Sequence, residues 1–395
     1  MEMPDYNGKS IVNLMSSISK SYSIRSRYHE LDSLKARELK KHDNVILFVM
    51  DGLGYKSLTG FPDLEMNKYV KGKMTSVFPS TTAACLTTFA SGLPPQQSAV
   101  TSWFMNIKEL GMIVKILPFS SRAEDQALSK EGIEIGGIIP VRSLSPKIEK
   151  KDTKCYKIVP RPLVIGDYNR LMGGKSDIIG YRSYAGLLKS LKKIIKTREN
   201  KSSKEKKKKK FIYCYSPLFD SACHHYGTKS DEARLEALKL DDLFKKISKT
   251  LEGTNSLLLC TADHGLIDSP PEKRINLNEH EEFYDCLTIP MCGEPRAAFL
   301  YVRASKEKKF LDYYRKNLKD KFILKTGEKM IKENYFGLFE PDKKLFERIG
   351  DYILIARDNY MIKDFLINDN FDFHIANHGG LSKEEMLVPL VARKL

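Results

Sequence analysis

Three short apolar runs in the sequence each end in an aspartate that is followed by small or polar residues. They are NVILFVMD (44–51), FIYCYSPLFD (211–220) and SLLLCTAD (256–263). Continuous apolar runs of this length are typical of strands buried on both faces, as in a parallel sheet covered by helices. Ligands of such sheets bind beyond the carboxyl ends of the strands. The closing residues Asp51, Asp220 and Asp263 are therefore predicted to converge on one site.

Segments with helical periodicity alternate with these strands. We predict helices over roughly 184–198, 230–250 and 306–318, and the leucines and isoleucine between 235 and 247 give the second one an apolar stripe. This alternation predicts an α/β fold, a three-layer α/β/α sandwich with a central, mostly parallel sheet. Residues 1–40 are expected to form an N-terminal helical arm and residues 41–395 one large domain. Shorter elements with Pro and Gly at about 102–180 and 270–375 are interpreted as capping insertions.

The net charge of +16 is concentrated in one stretch. Between Lys189 and Lys210 there are twelve Lys and Arg residues against two Glu, a net +10, so the remaining residues carry only +6. A charge run of this kind is typical of a solvated loop. The alternative is that Lys201–Lys210 holds nucleic acid or another acidic partner by electrostatic attraction.

The bulk composition indicates a globular protein. With 395 residues and 42% hydrophobic content, the chain can bury a large core. No run approaches the roughly 18 apolar residues that span a bilayer, and the first residues have no apolar core of signal-peptide type. We therefore expect a cytoplasmic protein. Seven scattered cysteines without CxxC pairs predict free thiols.

The segment SVFPSTTAACLTTFASGLPP (76–95) carries a candidate nucleophile. Ser80 or Thr81 is expected to cap a helix that runs through about Ser91, which places Thr82 in the first turn. The free amides and the dipole of a helix N-terminus attract anions such as a phosphoryl group. A threonine hydroxyl also needs help to lose its proton, and a bound divalent cation can give that help. The alternative is that these hydroxyls only cap the helix.

Candidate metal ligands follow the second and third strands and recur near the end of the chain. Asp220 and His224 are four residues apart, so on a helical turn they share one face. Asp263 and His264 stand at a strand-to-loop junction, and His378 precedes two glycines. Aspartate and neutral histidine are ligands of Zn²⁺, and Mn²⁺ is also compatible with them.

These motifs give the chain a family resemblance. It resembles the type I phosphodiesterase/nucleotide pyrophosphatase branch of the alkaline phosphatase superfamily through VMDGLG (49–54), FPSTTAACLTTFASGLPP (78–95), FDSACHHYG (219–227), TADHG (261–265) and NHGGLS (377–382). The resemblance implies two divalent ions, with Zn²⁺ expected, and Thr82 as the nucleophile. It assigns one ion to Asp51, Thr82, Asp263 and His264, and the other to Asp220, His224 and His378.

The implied activity is hydrolysis of phosphodiester or pyrophosphate bonds in nucleotide-type small molecules, through a phospho-threonine intermediate on Thr82. Cys85 stands where many nucleotide pyrophosphatases have an asparagine that binds a phosphoryl oxygen. Trp103 and Phe104 are candidates for stacking on a nucleobase. His280 and His374 are further candidates for lining the pocket. Packing roles are the alternative for all four of these rings.

Two alternative functions remain open from the sequence. A phosphomonoesterase or phosphonate hydrolase would keep the fold and the metals. A sulfatase is disfavoured, because Thr82 is followed by two alanines and no Cys-x-Pro-x-Arg element is present there. An alternative of another class is a basic protein that binds nucleic acid or acidic lipid through Lys201–Lys210.

Overall fold

A seven-stranded sheet lies at the centre of the molecule. The computed structural model describes residues 1–124, 126–197, 209–367, 369 and 371–395. In chain order, the strands of the central sheet are β1 (Asn44–Met50), β2 (Val70–Thr75), β3 (Thr153–Pro160), β4 (Asp177–Tyr181), β5 (Lys209–Ser216), β6 (Ser256–Thr261) and β7 (Leu387–Lys394).

The strands are arranged in the order β2-β7-β6-β1-β5-β3-β4. The neighbours from β6 to β4 pair in parallel, and β7 is antiparallel to both β2 and β6. The register places Met50 beside Ser216 and Val49 beside Thr261, so the carboxyl ends of β1, β5 and β6 are level. The predicted mostly parallel sheet and the three apolar strands are confirmed.

Helices cover both faces of this sheet, and others pack on a second sheet. The longer ones are α1 (Ile11–Ser21), α2 (Thr82–Ser91), α3 (Tyr184–Lys196), α4 (Leu218–Tyr226), α5 (Asp231–Leu251) and α6 (Glu307–Asn317). Shorter helices span Ala36–Leu39, Tyr55–Gly60, Pro95–Ser98, Ile135–Ile138, Ser145–Glu149, Asp167–Gly173, Glu281–Tyr284, Gly327–Lys332, Lys343–Arg348 and Lys383–Met386. The three helices predicted from periodicity are confirmed as α3, α5 and α6.

Side chains that alternate along the strands build two separate cores. Val45, Leu47 and Val49 of β1 pack with α1 and α2 on one face of the sheet. Ile46 and Phe48 pack with α3 and α5 on the other face. The result is the predicted three-layer sandwich. Residues 1–40, which were expected to form a helical arm, bury the apolar side of α1 in the first of these cores.

A second sheet is antiparallel throughout and comes from the two segments predicted to be capping insertions. In spatial order its strands are Phe322–Thr326, Tyr352–Ala356, Ala297–Leu300, Cys292–Glu294, Phe104–Ile107, Met112–Lys115 and Ser120–Ser121. Short two-strand pairs join Ile267–Asp268 to Ala376–Asn377 and Arg274–Asn276 to Met361–Lys363. The segment 102–180 also contributes β3 and most of β4 to the central sheet.

Three sequence-based expectations concern the chain as a whole. All seven cysteines are free and buried, as expected. Among the described residues, no helix combines the length and the apolar character that crossing a bilayer requires. Most of the basic run, residues 198–208, lies outside the described residues, and Lys209 and Lys210 begin β5. The expected solvated loop, and the alternative that Lys201–Lys210 holds nucleic acid or another acidic partner, therefore fall mostly on residues outside the described part of the chain.

Candidate active site

The three predicted aspartates meet at the carboxyl ends of β1, β5 and β6. Asp51 directly follows β1, Asp263 lies two residues beyond β6, and Asp220 is in the first turn of α4. The Asp220 amide donates to the Asp51 carbonyl at 3.2 Å, and the Gly52 amide donates to Asp263 Oδ1 at 3.2 Å. Gly52 has a φ of +73°, and a Cβ there would lie 2.9 Å from the Asp220 Cβ, so this close approach requires glycine.

One group of candidate ligands consists of Asp51, Asp263 and His264, whose ligand atoms lie within 4.8 Å of one another. His264 Nε2 is 3.4 Å from Asp51 Oδ1 and 3.6 Å from Asp263 Oδ2. All three side chains are buried. These residues, which the sequence-based assignment gave to one ion, lie close together because strand ends in a parallel sheet bring successive motifs together.

A second group consists of Asp220, His264 and His378, again with ligand atoms within 4.8 Å of one another. His224 adjoins this group, with Nε2 3.2 Å from Asp220 Oδ2. The His264 and His378 rings stack with centroids 3.8 Å apart. His264 thus belongs to both groups, whereas the sequence-based assignment gave it to one ion only.

The three histidines are oriented in the same way by backbone carbonyls. Nδ1 of His224 lies 2.7 Å from the Ala376 oxygen, Nδ1 of His264 lies 3.1 Å from the Gly265 oxygen, and Nδ1 of His378 lies 3.1 Å from the Ser80 oxygen. A carbonyl can only accept, so Nδ1 of each neutral ring carries the hydrogen. Nε2 keeps its lone pair, and in His224 and His264 it lies against the carboxylates of Asp220 and Asp51, which is the state a metal ligand requires.

The carboxylates show that a divalent cation fits this centre. Asp51 Oδ1, Asp220 Oδ1 and Asp263 Oδ2 are buried without a hydrogen-bond partner. Burial, with the charges of Asp263 and Asp220, raises the pKa of Asp51 well above its usual range. Such a cluster of buried carboxylates is costly unless cations compensate the charge. Aspartate oxygens and imidazole nitrogens together suit Zn²⁺ or Mn²⁺.

Thr82 is the first residue of α2, as predicted, and faces both groups of ligands. Its Oγ1 lies 3.1 Å from His264 Nε2. Thr81 stands at the N-cap position of α2, as expected, but no side chain caps the helix: the Ser80 hydroxyl donates to the Gly380 carbonyl and the Thr81 hydroxyl donates to Glu294. Without a side-chain cap, the amides at this helix end stay available to an anion beside Thr82.

The family of the chain follows from a sequence comparison. The family model "Type I phosphodiesterase / nucleotide pyrophosphatase" matches residues 138–380, which is more than half of the chain. The chain belongs to this family. The matched segment includes the candidate ligands of α4, the Asp263-His264 pair and His378, while Asp51 and Thr82 precede it and join them only in the fold. The family hydrolyses phosphodiester and pyrophosphate bonds, and its placement in the alkaline phosphatase superfamily is confirmed.

Solved structures share the fold of this family member at low sequence identity. Murine ectonucleotide pyrophosphatase/phosphodiesterase 5 is 16% identical over 88% of this chain and 87% of that chain, with a TM-score of 0.66. An inactive threonine-to-alanine variant of the murine protein, in complex with AMP, and the human protein each match with a TM-score of 0.64, at the same identity and coverage. No curated protein matches the sequence.

Glu294 is a buried residue of this site that the sequence analysis missed. Its Oε1 accepts hydrogen bonds from the Thr81 hydroxyl and from the Trp103 amide, both at 2.7 Å. Burial raises the pKa of Glu294 to about 7. Gly379, beside His378, lies against this side chain, and a Cβ there would be 2.6 Å from the Glu294 Cβ. The one available signal was a pair of charged residues, Glu294 and Arg296, inside the otherwise apolar stretch MCGEPRAAF.

The structure separates the predicted substrate-binding residues into two sets. Trp103 is 36% exposed and lines a cavity that opens beside Thr82, and the His374 ring lies 4.3 Å from that of His224. Phe104 instead packs under the guanidinium of Arg122. These contacts keep Trp103 and His374 near the centre and place Phe104 in the second sheet.

The other two candidates point away from the centre. The Cys85 thiol is buried and donates to the Asp263 carbonyl at 3.2 Å, so it supports the ligand loop from behind. His280 Nδ1 lies 2.8 Å from the Tyr313 hydroxyl of α6, and its ring packs edge-on against the Tyr313 ring. Neither side chain lines the cavity beside Thr82.

Proposed function

We propose that this chain hydrolyses phosphodiester or pyrophosphate bonds in nucleotide-type substrates through a phospho-threonine formed on Thr82, with two divalent ions in the candidate centre. The observation that carries this proposal is the position of the Thr82 hydroxyl. It lies at an uncapped helix N-terminus, 3.1 Å from His264, beside three buried carboxylates that each keep an unpaired oxygen.

The two groups of ligands would hold the ions. Asp51, Asp263 and His264 would hold one ion, and Asp220 and His378 would hold the other together with the adjoining His224, while His264 borders both positions. Bound there, divalent cations supply positive charge that lowers the pKa of a hydroxyl and offsets the charge of phosphoryl and leaving-group oxygens. Zn²⁺ is the first candidate because the donors are imidazole nitrogens and carboxylate oxygens.

The reaction proceeds by two successive displacements at phosphorus, first by Thr82 and then by water. The Thr82 oxygen loses its proton and bonds to phosphorus, while the bond to the leaving oxygen breaks and that oxygen gains a proton. Amides at the N-terminus of α2 hold phosphoryl oxygens in place. Water then cleaves the bond between phosphorus and Thr82 Oγ1, which restores the hydroxyl. The sum is the addition of one water across the scissile bond, with retention at phosphorus.

Two further observations support a nucleotide-type substrate. The inactive threonine-to-alanine variant of the murine relative was solved with AMP, which agrees with a nucleotide ligand and with an essential threonine. In this chain the exposed Trp103 ring at the mouth of the cavity offers a stacking surface for a base.

A substrate comparison tests this function. Protein loaded with Zn²⁺ or Mn²⁺ is assayed on p-nitrophenyl thymidine monophosphate, bis-p-nitrophenyl phosphate and p-nitrophenyl phosphate. We expect kcat/KM to fall in that order, because the first diester carries a nucleoside and the last is a monoester. Fastest turnover of p-nitrophenyl phosphate would favour the phosphomonoesterase alternative. No metal-dependent hydrolysis of any of the three would refute the proposal.

A further inference from the structure

A cavity of about 620 Å³ continues from the candidate centre into the layer between α2 and the central sheet. Asp51, Thr82 and Asp220 border it at one end. It follows β5 from Tyr215 back past Tyr213 to Phe211, a distance of roughly 13 Å at 3.3 Å per residue. A cavity of this size can bury a ligand much larger than a phosphoryl group.

The walls of this cavity are mostly apolar. They are formed by side chains of α2, of β3 and β5 and of the segments between them, including Leu86, Phe89, Leu144, Ile148, Val159 and Met172. Among the residues that line it in the described part of the chain, only Asp51, Asp220 and Lys157 are charged. Because the two aspartates belong to the metal-binding groups, Lys157 is the one charge in the interior of the cavity.

Lys157 has no counter-ion in the part of the chain that the structure describes. It lies on β3 opposite Tyr213 of β5, and its Nζ is 5.9 Å from the centre of the Tyr213 ring. The residue is only 8% exposed, and no hydrogen bond or ion pair of its ammonium exists among the described residues. Buried Lys210 shows the usual alternative, since its Nζ donates to the carbonyls of Ile194 and Thr197.

An ammonium without a counter-ion in a mostly apolar cavity is costly, and the cost is reduced when a bound ligand brings a negative charge. An ammonium has three donors and no acceptor, so it selects carboxylate, phosphate or a similar anion. The apolar walls limit how many charges the ligand can carry here. One lysine compensates one negative group, and a polyphosphate would leave the rest of its charges unpaired in an apolar space.

We propose that this cavity receives the second ester group of the substrate, and that this group is a largely apolar body with one anionic substituent that pairs with Lys157. The anion is distinct from the reacting phosphoryl group. Lys157 is level with Tyr213, about 6.6 Å along the strand from Tyr215, whose hydroxyl donates to Asp51 at the centre. The inference rests on the proposed function, and it names the class of ester that the site prefers.

Two matched phosphodiesters of p-nitrophenol test whether the cavity prefers an ester group that carries an anion. One carries an ω-carboxyoctyl group, and the other carries the neutral ω-carbamoyloctyl group of the same shape. We expect the metal-loaded wild type to hydrolyse the acid with a kcat/KM about tenfold above that of the amide, since an ion pair in an apolar site strengthens binding. Lys157→Met should bring this ratio to about one, because the side chain keeps its length and loses its charge.

Lys154→Met is the matched control. Lys154 is on the same strand, its ammonium lies 3.4 Å from Glu149 and 2.9 Å from Asp177, and it does not line the cavity. This variant should keep the wild-type ratio. A ratio near one in the wild type, or a preference that survives in Lys157→Met, overturns the inference while the proposed hydrolysis stands.

A binding measurement separates failure of the inference from failure of the proposed function. Calorimetric titration with ω-hydroxynonanoate, the alcohol of the acidic ester, needs no turnover. We expect about tenfold weaker binding to Lys157→Met than to the wild type and to Lys154→Met. If no ester is hydrolysed but this difference is seen, the proposed function fails and the anion site stands. Equal binding to all three proteins, or no binding, overturns the anion site.

Discussion

The hydroxyl of Thr82 lies 3.1 Å from Nε2 of His264, although the two residues are 182 positions apart in the chain. His264 is the only residue that belongs to both groups of candidate ligands found among the described residues. The candidate nucleophile therefore faces the junction between the two groups rather than one of them. A phosphoryl group attached to Thr82 would lie within reach of both, as a two-metal hydrolase requires.

Replacement of Thr82 tests the nucleophile directly. Thr82→Ala removes the attacking oxygen and leaves the carboxylates and histidines in place, so we expect kcat to fall by about 10³-fold or more. The metal content, measured by atomic absorption, should stay close to that of the wild type. Thr88→Ala is the control. The Thr88 hydroxyl donates to the carbonyl of Ala84 within α2 and to that of Leu93 just after the helix, and it does not face the centre. Turnover of Thr82→Ala at the wild-type rate would exclude Thr82.

Metal removal is expected to change stability as well as activity. Chelation leaves Asp51, Asp220 and Asp263 buried together with unpaired oxygens, which destabilises the folded state. At a metal concentration about 100-fold above Kd, binding contributes about 2.7 kcal/mol to the free energy of unfolding. Thermal unfolding with EDTA and with added Zn²⁺ should show a lower Tm in EDTA that Zn²⁺ restores.

Asp263→Asn should reduce the difference in Tm between EDTA and added Zn²⁺, because one candidate carboxylate ligand is lost. Asp241→Asn is the control. The Asp241 side chain is buried in α5, where it accepts from the Met66 amide and pairs with Lys245, on the opposite face of the sheet from α2. A Tm that does not depend on metal in the wild type would contradict the assignment of this centre.

The convergence of the candidate ligands could be predicted from the sequence because a simple pattern marks these residues. The runs before Asp51 and Asp263 are continuously apolar over residues 45–50 and 257–260 rather than alternating, which indicates buried parallel strands, and the carboxyl ends of such strands lie at one edge of the sheet. Asp220 and His224 are four residues apart on a helix, so their joint position also follows from local geometry. Each of these arguments needs only a short stretch of sequence.

Other features of the site depend on contacts that no short stretch reveals. Glu294 reaches Thr81 from the second sheet across 213 positions. β3 was missed because Lys154 and Lys157 interrupt its apolar pattern, and Lys157 lines the cavity rather than the solvent-facing surface. Cys85 takes the place of a family asparagine, yet its thiol faces the Asp263 carbonyl, since the rotation of α2 is set by its packing on the sheet.

Glu294 is expected to position the start of α2 and the chain at Trp103. Glu294→Ala leaves the Thr81 hydroxyl and the Trp103 amide buried without an acceptor, which should cost about 1–3 kcal/mol for each unsatisfied group. The urea midpoint measures the loss of stability, and kcat should fall because Thr81 adjoins the candidate nucleophile. Glu294→Gln keeps the accepting oxygen and should stay within about 1 kcal/mol of the wild type. Equal effects of Ala and Gln would show that the charge matters and the hydrogen bonds do not.

Lys157 should make the stability of the protein depend on pH in a defined window. Burial lowers the pKa of Lys157 from its usual 10.5 to about 7. Between these two values the unfolded chain holds a proton that the native lysine has lost, so the free energy of unfolding rises with pH across this window and falls again as pH drops towards 7. The slope approaches about 1.4 kcal/mol per pH unit.

Urea unfolding of the wild type and Lys157→Met at several pH values from 7.5 to 9.5 measures this slope. The variant serves as the reference because methionine binds no proton. We expect the difference in stability between the two proteins to change with this slope in favour of the wild type as pH rises. Parallel curves would mean that the native ammonium keeps its proton throughout the window, so that an anion or solvent already compensates its charge.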